Sequence, residues 1–154
     1  MRLYLMQHGE SRSGDKDEDR TLTEQGRAEV RRVAELLARS APDKHGRVHH
    51  SGKTRARETA EILTSTFDHL EAEESDGLAP MDDPVIWAQR ASRLHEAVAL
   101  VGHLPHLAKL TSLLLVGDSE IPVVTFTNGG MVCLERSPEG VWSLRWSVVP
   151  WLLV

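Results

Sequence analysis

Three short stretches place chemically capable side chains where strands give way to turns or helices. Leu3-Tyr4-Leu5-Met6 runs into Gln7-His8-Gly9-Glu10, which presents His8 at a strand's end. Ser51-Gly52-Lys53-Thr54-Arg55-Ala56 marks a strand yielding to a helix, and Gly102-His103 follows the apolar run Ala97-Val98-Ala99-Leu100-Val101. Ligands of α/β proteins gather beyond the carboxyl ends of the strands. If these strands are neighbours, His8, Arg55 and His103 surround one pocket. Two histidines, an arginine fork and a helix N-terminus suit a phosphoryl group. A histidine so placed can attack phosphorus and form a covalent intermediate. Gly9 permits a sharp turn and leaves room for an anion. Taken alone, His8 reads first as a buried or solvated turn histidine; the other two sites tip the balance.

The elements that must position these residues follow from periodicity. A first strand spans about residues 2–7, followed by a polar, mixed-charge loop from Ser11 to Arg20. Thr23 fits a helix N-cap, and Val30, Val33, Ala34 and Leu37 recur at helical spacing. Pro42 and the following Asp-Lys-His-Gly predict the end of that helix. Val48 to Ser51 is a weak strand, and Thr54 to about Thr66 a helix with Ala56, Ala60 and Leu63 on one face. Glu71 to Pro84 reads as acidic and irregular, anchored by Leu78 and Met81. A helix is expected from about Pro84 to His95, then a buried parallel strand at 97–101. A helix from about Pro105 to Val116 ends at Gly117. Ile121–Phe126, Met131–Glu135 and Trp142–Val148 are β-type segments. Helices alternating with strands, then a β-rich end, indicate an α/β sheet.

The 154 residues fit one domain, 1–154, with no repeat and no linker. At 40% hydrophobic and 27% charged, the chain is an ordinary globular domain with no disordered tail implied. A net charge of −5 argues against general nucleic-acid binding. The initial apolar run is four residues long, so no secretory leader is expected, and no segment approaches the roughly 20 apolar residues of a membrane span. The single Cys133 allows no internal disulfide, which agrees with a cytoplasmic location, and its apolar neighbours predict a packed thiol. His49-His50 and His103-x-x-His106 hint at metal binding. Adjacent strand histidines point to opposite faces, however, and no third ligand is marked. His106 reads as a polar helix-start residue, and Trp142 with Trp146 as core.

The motifs also resemble a known family. Leu5-Met6-Gln7-His8-Gly9-Glu10 is similar to the Arg-His-Gly signature of the histidine phosphatase superfamily. Leu22-Thr23-Glu24-Gln25-Gly26 resembles the Leu-Thr-x-x-Gly that opens its first helix. Ser51-Gly52-Lys53-Thr54-Arg55-Ala56-Arg57-Glu58-Thr59-Ala60 resembles Ser-Pro-x-x-Arg-Ala-x-x-Thr-Ala, and Leu100-Val101-Gly102-His103-Leu104-Pro105 the Val-Gly-His-Asn-Pro box. With the compact length, Gly129-Gly130 and the closing Trp142-Ser143-Leu144-Arg145-Trp146, the chain looks most like the SixA-type phosphohistidine phosphatase branch. The resemblance implies a phosphoglycerate mutase-like three-layer sandwich with a mostly parallel central sheet flanked by helices. It makes His8 the nucleophile, Arg55 the phosphoryl clamp and His103 a donor to the same oxygens. Inorganic phosphate is the product, and no metal or organic cofactor is implied.

Several positions depart from that pattern. Gln7 stands where the superfamily has a phosphate-binding arginine. It donates hydrogen bonds without charge, a loss of roughly 1.5–3 kcal/mol or one to two orders of magnitude in rate. Arg12 and Lys53 are candidates to compensate, and equally candidates for surface charges. Gly52 replaces a proline and loosens the lead-in to the helix at Thr54. No clear general acid follows Arg55; Asp82 is the weak candidate within the acidic run Glu73, Glu74, Asp76, Asp82 and Asp83. An alkoxide leaving group needs such an acid, whereas imidazole, with a conjugate-acid pKa near ~6.5, needs far less help. A phosphohistidine-bearing protein is therefore the expected substrate. The alternatives are a small phosphate-ester phosphatase and a weakly catalytic phosphoprotein-binding regulator, the latter prompted by Gln7.

Overall fold

A computed structural model of the chain describes residues 1–40 and 46–153. Six strands form one sheet in the order β3-β2-β4-β1-β5-β6. They are β1 (Arg2–Gln7), β2 (Arg47–His50), β3 (Ala72–Glu74), β4 (Val98–Gly102), β5 (Met131–Arg136) and β6 (Trp142–Val148). β3, β2, β4 and β1 run parallel, while β5 and β6 continue the sheet antiparallel. Helices α1 (Glu24–Ser40) and α2 (Thr54–Ser65) cover one face, and α3 (Pro84–Arg93) and α4 (His106–Val116) the other. This is the expected α/β sandwich. No helix among the described residues is long and apolar enough to cross a membrane.

The central strands form because Leu3, Leu5, Val98 and Leu100 are buried between two helical layers, where near-continuous apolar runs belong. α1 buries Val30, Val33, Ala34 and Leu37, the stripe its spacing predicts. Thr23 begins it as an N-cap: its Oγ1 accepts the Gly26 N–H at 2.9 Å. The predicted stop of α1 at Pro42 lies outside the described residues. Register then does the work of assembling a site. Gln7 pairs with Gly102 across β1 and β4, and His50 with Val101 across β2 and β4. His8, Ser51 and His103 therefore leave the same edge of the sheet together.

Four expectations are corrected. The acidic stretch after Glu71 contains β3, a short edge strand held parallel to β2. Met81 does not anchor that loop; it is 84% exposed, while Leu78 is fully buried. Residues 121–126 form no strand; the position beside β5 is taken by β6, and the segment pairs with no strand of the sheet. Trp142 and Trp146 do not share a face. A bulge in the β5–β6 pairing between Cys133 and Leu134 turns Trp142 toward the α3/α4 core and sets Trp146 against Tyr4 on the α1/α2 side.

Candidate active site

His8 leaves β1 with its backbone N–H bonded to the Gly102 carbonyl at 3.0 Å, which ties it to the end of β4. Its Nδ1 lies 2.8 Å from the Gly9 carbonyl oxygen. A carbonyl only accepts, so Nδ1 carries the ring proton and Nε2 carries the lone pair. Arg55 Nε donates toward that lone pair at 3.3 Å. Burial lowers the His8 pKa; the Gly9 bond opposes this, and the charges of Arg55 and Arg20 reinforce it. His8 is thus a neutral imidazole at pH 7 with Nε2 facing a guanidinium.

Arg55 sits in the first turn of α2, where it is almost fully buried. Thr59 fixes this turn to the loop after β1: its Oγ1 donates to the Arg55 carbonyl at 2.7 Å and accepts the Gly9 N–H at 3.0 Å. Lys53 caps α2 without a side-chain bond, so the missing acceptor comes from another loop. Asp17 Oδ2 accepts the Thr54 N–H at 2.9 Å and the Thr54 hydroxyl at 2.8 Å, and Oδ1 lies 3.5 Å from Arg55 Nη1. Burial pulls the Asp17 pKa upward, but the two Thr54 bonds and the charges of Lys53 and Arg55 outweigh it and hold it low. Gly52, just before this turn, has φ 82°, a left-handed conformation closed to the proline it replaces. The lead-in to α2 is therefore a different turn and not a loosened one.

His103 is 1% exposed and its ring centroid lies 5.0 Å from that of His8. Its Nε2 is 2.6 Å from Ser51 Oγ, and its Nδ1 has no partner on the protein. Burial, helped by the charges of His8, Arg55 and Lys53, pushes its pKa down to about 3. The sheet thus gathers a neutral imidazole whose Nε2 lone pair faces a guanidinium, and a second neutral imidazole with an unpartnered nitrogen. The unpartnered nitrogen and the helix N-terminus are the chemistry of an anion cradle.

The family model of the histidine phosphatase superfamily (branch 1) matches residues 3–86, more than half of the chain. The chain belongs to that superfamily. It is a phosphatase. Its fold is close to that of the protein histidine phosphatase SixA solved with tungstate, at TM-score 0.88 and 24% identity over 100% of both chains. A provisionally assigned phosphohistidine phosphatase SixA from Agrobacterium tumefaciens matches at 26% identity and TM-score 0.75 over 97% of each chain. A provisionally assigned α-ribazole-5′-P phosphatase from Escherichia coli K-12 matches at 16% identity and TM-score 0.75, covering 97% of this chain and 98% of that one. Comparison of the sequence with curated proteins gives no match.

Within this histidine phosphatase domain the other expected residues fall differently. Gln7 is buried, and its Nε2 donates to Asn128 Oδ1 at 2.5 Å while its Oε1 has no partner. The Gly9 N–H is taken by Thr59, so Gly9 does not offer it to phosphate; its carbonyl orients His8 instead. A Cβ on Gly9 would also meet Val30 at 2.8 Å, so helix packing demands the glycine. Arg12 is exposed on its loop, and the cation whose field reaches both His8 and Arg55 is Arg20. Lys53 stands close enough for its charge to act on Asp17 and His103. Asp82 accepts the Ala79 N–H at 2.9 Å and thereby closes the turn before α3. His106 does start α4, but it is buried and both its ring nitrogens lack partners.

Asp17, Arg20, Ser51 and Asn128 reach Arg55, His8, His103 and Gln7, and the sequence alone does not single them out. Ser51 and Asn128 each follow or precede a marked turn, a signal that could have drawn attention to them. Asp17 and Arg20 lay inside an undifferentiated charge run. Among the described residues no group of three or more histidine, cysteine or acidic side chains could hold a metal ion. His49 and His50 diverge as expected: His49 packs on Trp87, and His50 Nδ1 accepts the Gly52 N–H.

Proposed function

We propose that this phosphatase removes phosphate from a protein-borne phosphohistidine through a covalent intermediate on His8. The observation that carries the reading is the locked tautomer of His8, with Nδ1–H held by Gly9 and the Nε2 lone pair beside Arg55. Nε2 attacks phosphorus as the phosphorus–nitrogen bond of the substrate breaks, and the departing imidazole takes up a proton from solvent. Arg55 and His103 donate to the phosphoryl oxygens as charge spreads over them. Water then attacks the phosphoenzyme, phosphate leaves with the water's oxygen, and Nε2 regains its lone pair.

The choice of substrate rests on leaving-group chemistry. Asp82 and Asp83 both serve local backbone bonds, to Ala79 and Val85, which is consistent with a reaction that needs no strong general acid. Similarity to the two SixA structures supports the same substrate class. A cytoplasmic location belongs to the proposal, since the buried free thiol of Cys133 suits a reducing compartment. A small-ester phosphatase is the rival reading, favoured by the likeness to a structure assigned to α-ribazole-5′-P.

The test is a trapped, acid-labile phosphoenzyme that His8→Ala abolishes, together with initial rates on a phosphohistidine protein and on small phosphate esters. Turnover that survives in His8→Ala overturns the mechanism. A strong preference for esters overturns the substrate and leaves the mechanism standing.

A further inference from the structure

We propose that Ser51 is a positioning residue that sets the tautomer of His103, so that the ring offers an Nδ1–H donor to the phosphoryl oxygens. The inference rests on the reading of His8 as nucleophile. It starts from proton bookkeeping. His103 is neutral at working pH and so has one ring N–H to place. One nitrogen, Nε2, is 2.6 Å from Ser51 Oγ; the other, Nδ1, is buried and has no protein partner.

Two arrangements fit those distances, and they differ chemically. With the proton on Nε2, His103 donates to Ser51 and leaves a bare lone pair on Nδ1, in a ring whose centroid lies 5.0 Å from that of His8. A buried acceptor then stays unsatisfied, and the ring has no donor to offer an anion bound beside His8. With the proton on Nδ1, the Ser51 hydroxyl donates to Nε2 and every group is used: Nδ1–H becomes a donor for the phosphoryl group. The Lys53 backbone N–H, 3.4 Å from Ser51 Oγ, approaches the serine oxygen as a donor. It occupies lone-pair space and leaves the hydroxyl proton free to turn toward Nε2.

The two active-site histidines are then complementary versions of one device. His8 has Nδ1–H tied to a carbonyl, which exposes a lone pair for attack. His103 has its lone pair tied to a hydroxyl, which exposes a proton for binding. Opposite nitrogens are anchored because opposite functions are required. Ser51 reaches His103 because β2 and β4 are adjacent parallel strands whose ends are in register.

Nitrogen-15 NMR of the histidine rings in the full chain at pH 7 tests this directly. Wild type is expected to show His103 protonated at Nδ1, with that resonance moving on titration with inorganic phosphate. Ser51→Ala is expected to shift His103 to a mixture or to Nε2–H and to slow phosphoenzyme formation about tenfold. Ser51→Thr keeps the hydroxyl and is expected to restore both. An Nε2–H tautomer in wild type overturns the proposal whatever the variants do. So does a Ser51→Ala protein with wild-type tautomer and rate, or a Ser51→Thr protein that restores neither. Failure of the His8 reading looks different: no acid-labile phosphoenzyme forms while the His103 tautomer stays at Nδ1–H.

Discussion

Asp17 and Arg55 form an ion pair that brings a carboxylate to the guanidinium expected to clamp phosphate, with Oδ1 3.5 Å from Nη1. The same carboxylate caps α2 through both donors of Thr54, so the loop after β1 is latched onto the helix that carries Arg55. A phosphoryl dianion arriving at Arg55 meets this negative charge. Asp17→Asn keeps a cap acceptor and removes the charge. The Asp17 side chain is 45% exposed, so solvent screens the pair to roughly 0.2–1 kcal/mol. Inorganic phosphate should inhibit Asp17→Asn up to about fivefold more tightly. Unchanged or weaker inhibition would mean that the latch orders Arg55 more than it competes with the ligand.

Gln7 stands where the resemblance to the superfamily leads one to expect an arginine. Its amide is turned to Asn128, and its Oε1 is buried without a partner. An arginine at this position would add a charge-assisted donor beside His8. Gln7→Arg is expected to raise kcat/KM for phosphohistidine substrates about tenfold, at the lower end of such a contact. Steady-state rates on one substrate suffice as the check. A rate that stays level or falls shows that the missing charge does not limit turnover.

Arg20 is the residue that would explain such a result. It follows the turn that Asp17 anchors, with its N–H bonded to the Asp17 carbonyl at 3.0 Å, and its charge lowers the pKa values of both His8 and Arg55. Arg20→Gln removes a cation that disfavours protonated His8, so the His8 pKa rises. The acid limb of kcat/KM, which needs the free base, should move to higher pH. Phosphate inhibition should weaken as well. A pH profile with an unmoved limb would show that Arg20 stands too far out to matter.

The parts of this picture visible in the sequence are those governed by local pattern. β1 and β4 read as buried strands because their apolar runs are continuous, and α1 because its apolar residues recur at three and four. His8, Arg55 and His103 were recognisable because each follows a strand's carboxyl end. β3 was not, since Ala72-Glu73-Glu74 has no apolar face and is a strand only through its pairing with β2. Residues 121–126 look like a strand by composition, yet they pair with neither β3 nor β6, the two outer strands of the sheet. Gln7–Asn128, Ser51–His103 and Asp17–Thr54 join residues far apart in the chain, and only the folded register brings them within reach.

Gly26 gives the Leu-Thr-x-x-Gly motif a steric meaning. It lies in the first turn of α1 against the backbone of Glu10, and an added Cβ would collide with the Glu10 carbonyl oxygen and sit 2.9 Å from its nitrogen. Backbone cannot rotate away as a side chain can. Gly26→Ala should push the His8–Glu10 loop outward, with overpacking costing roughly 1–3 kcal/mol. Denaturant unfolding should show that loss, and phosphoenzyme formation should slow with it. A variant as stable and active as wild type would mean that α1 slides freely over this loop.

His106 offers a last test, one that separates stability from catalysis. His8, His49, His50, His103 and His106 all have pKa values below the usual 6.5, with burial the largest cause in each. Between pH 6.5 and those lower values the unfolded chain holds more protons than the folded one, so stability falls as pH falls. Above pH 6.5 these groups add no slope; for His103 the decline runs down to about pH 3. The low pKa of Asp17 acts in the same sense at still lower pH, below its usual 3.8. His106 contributes to this slope while making no hydrogen bond from either ring nitrogen. His106→Leu removes one titrating group and a buried unsatisfied imidazole. Its unfolding free energy should rise by about 1–3 kcal/mol at pH 6, with a shallower fall toward pH 5. Denaturant unfolding at pH 7, 6 and 5 measures both, and the phosphoenzyme yield at pH 7 should not change. A slope equal to wild type would show that His106 is protonated alike in the folded and unfolded chain, against the burial that holds it neutral.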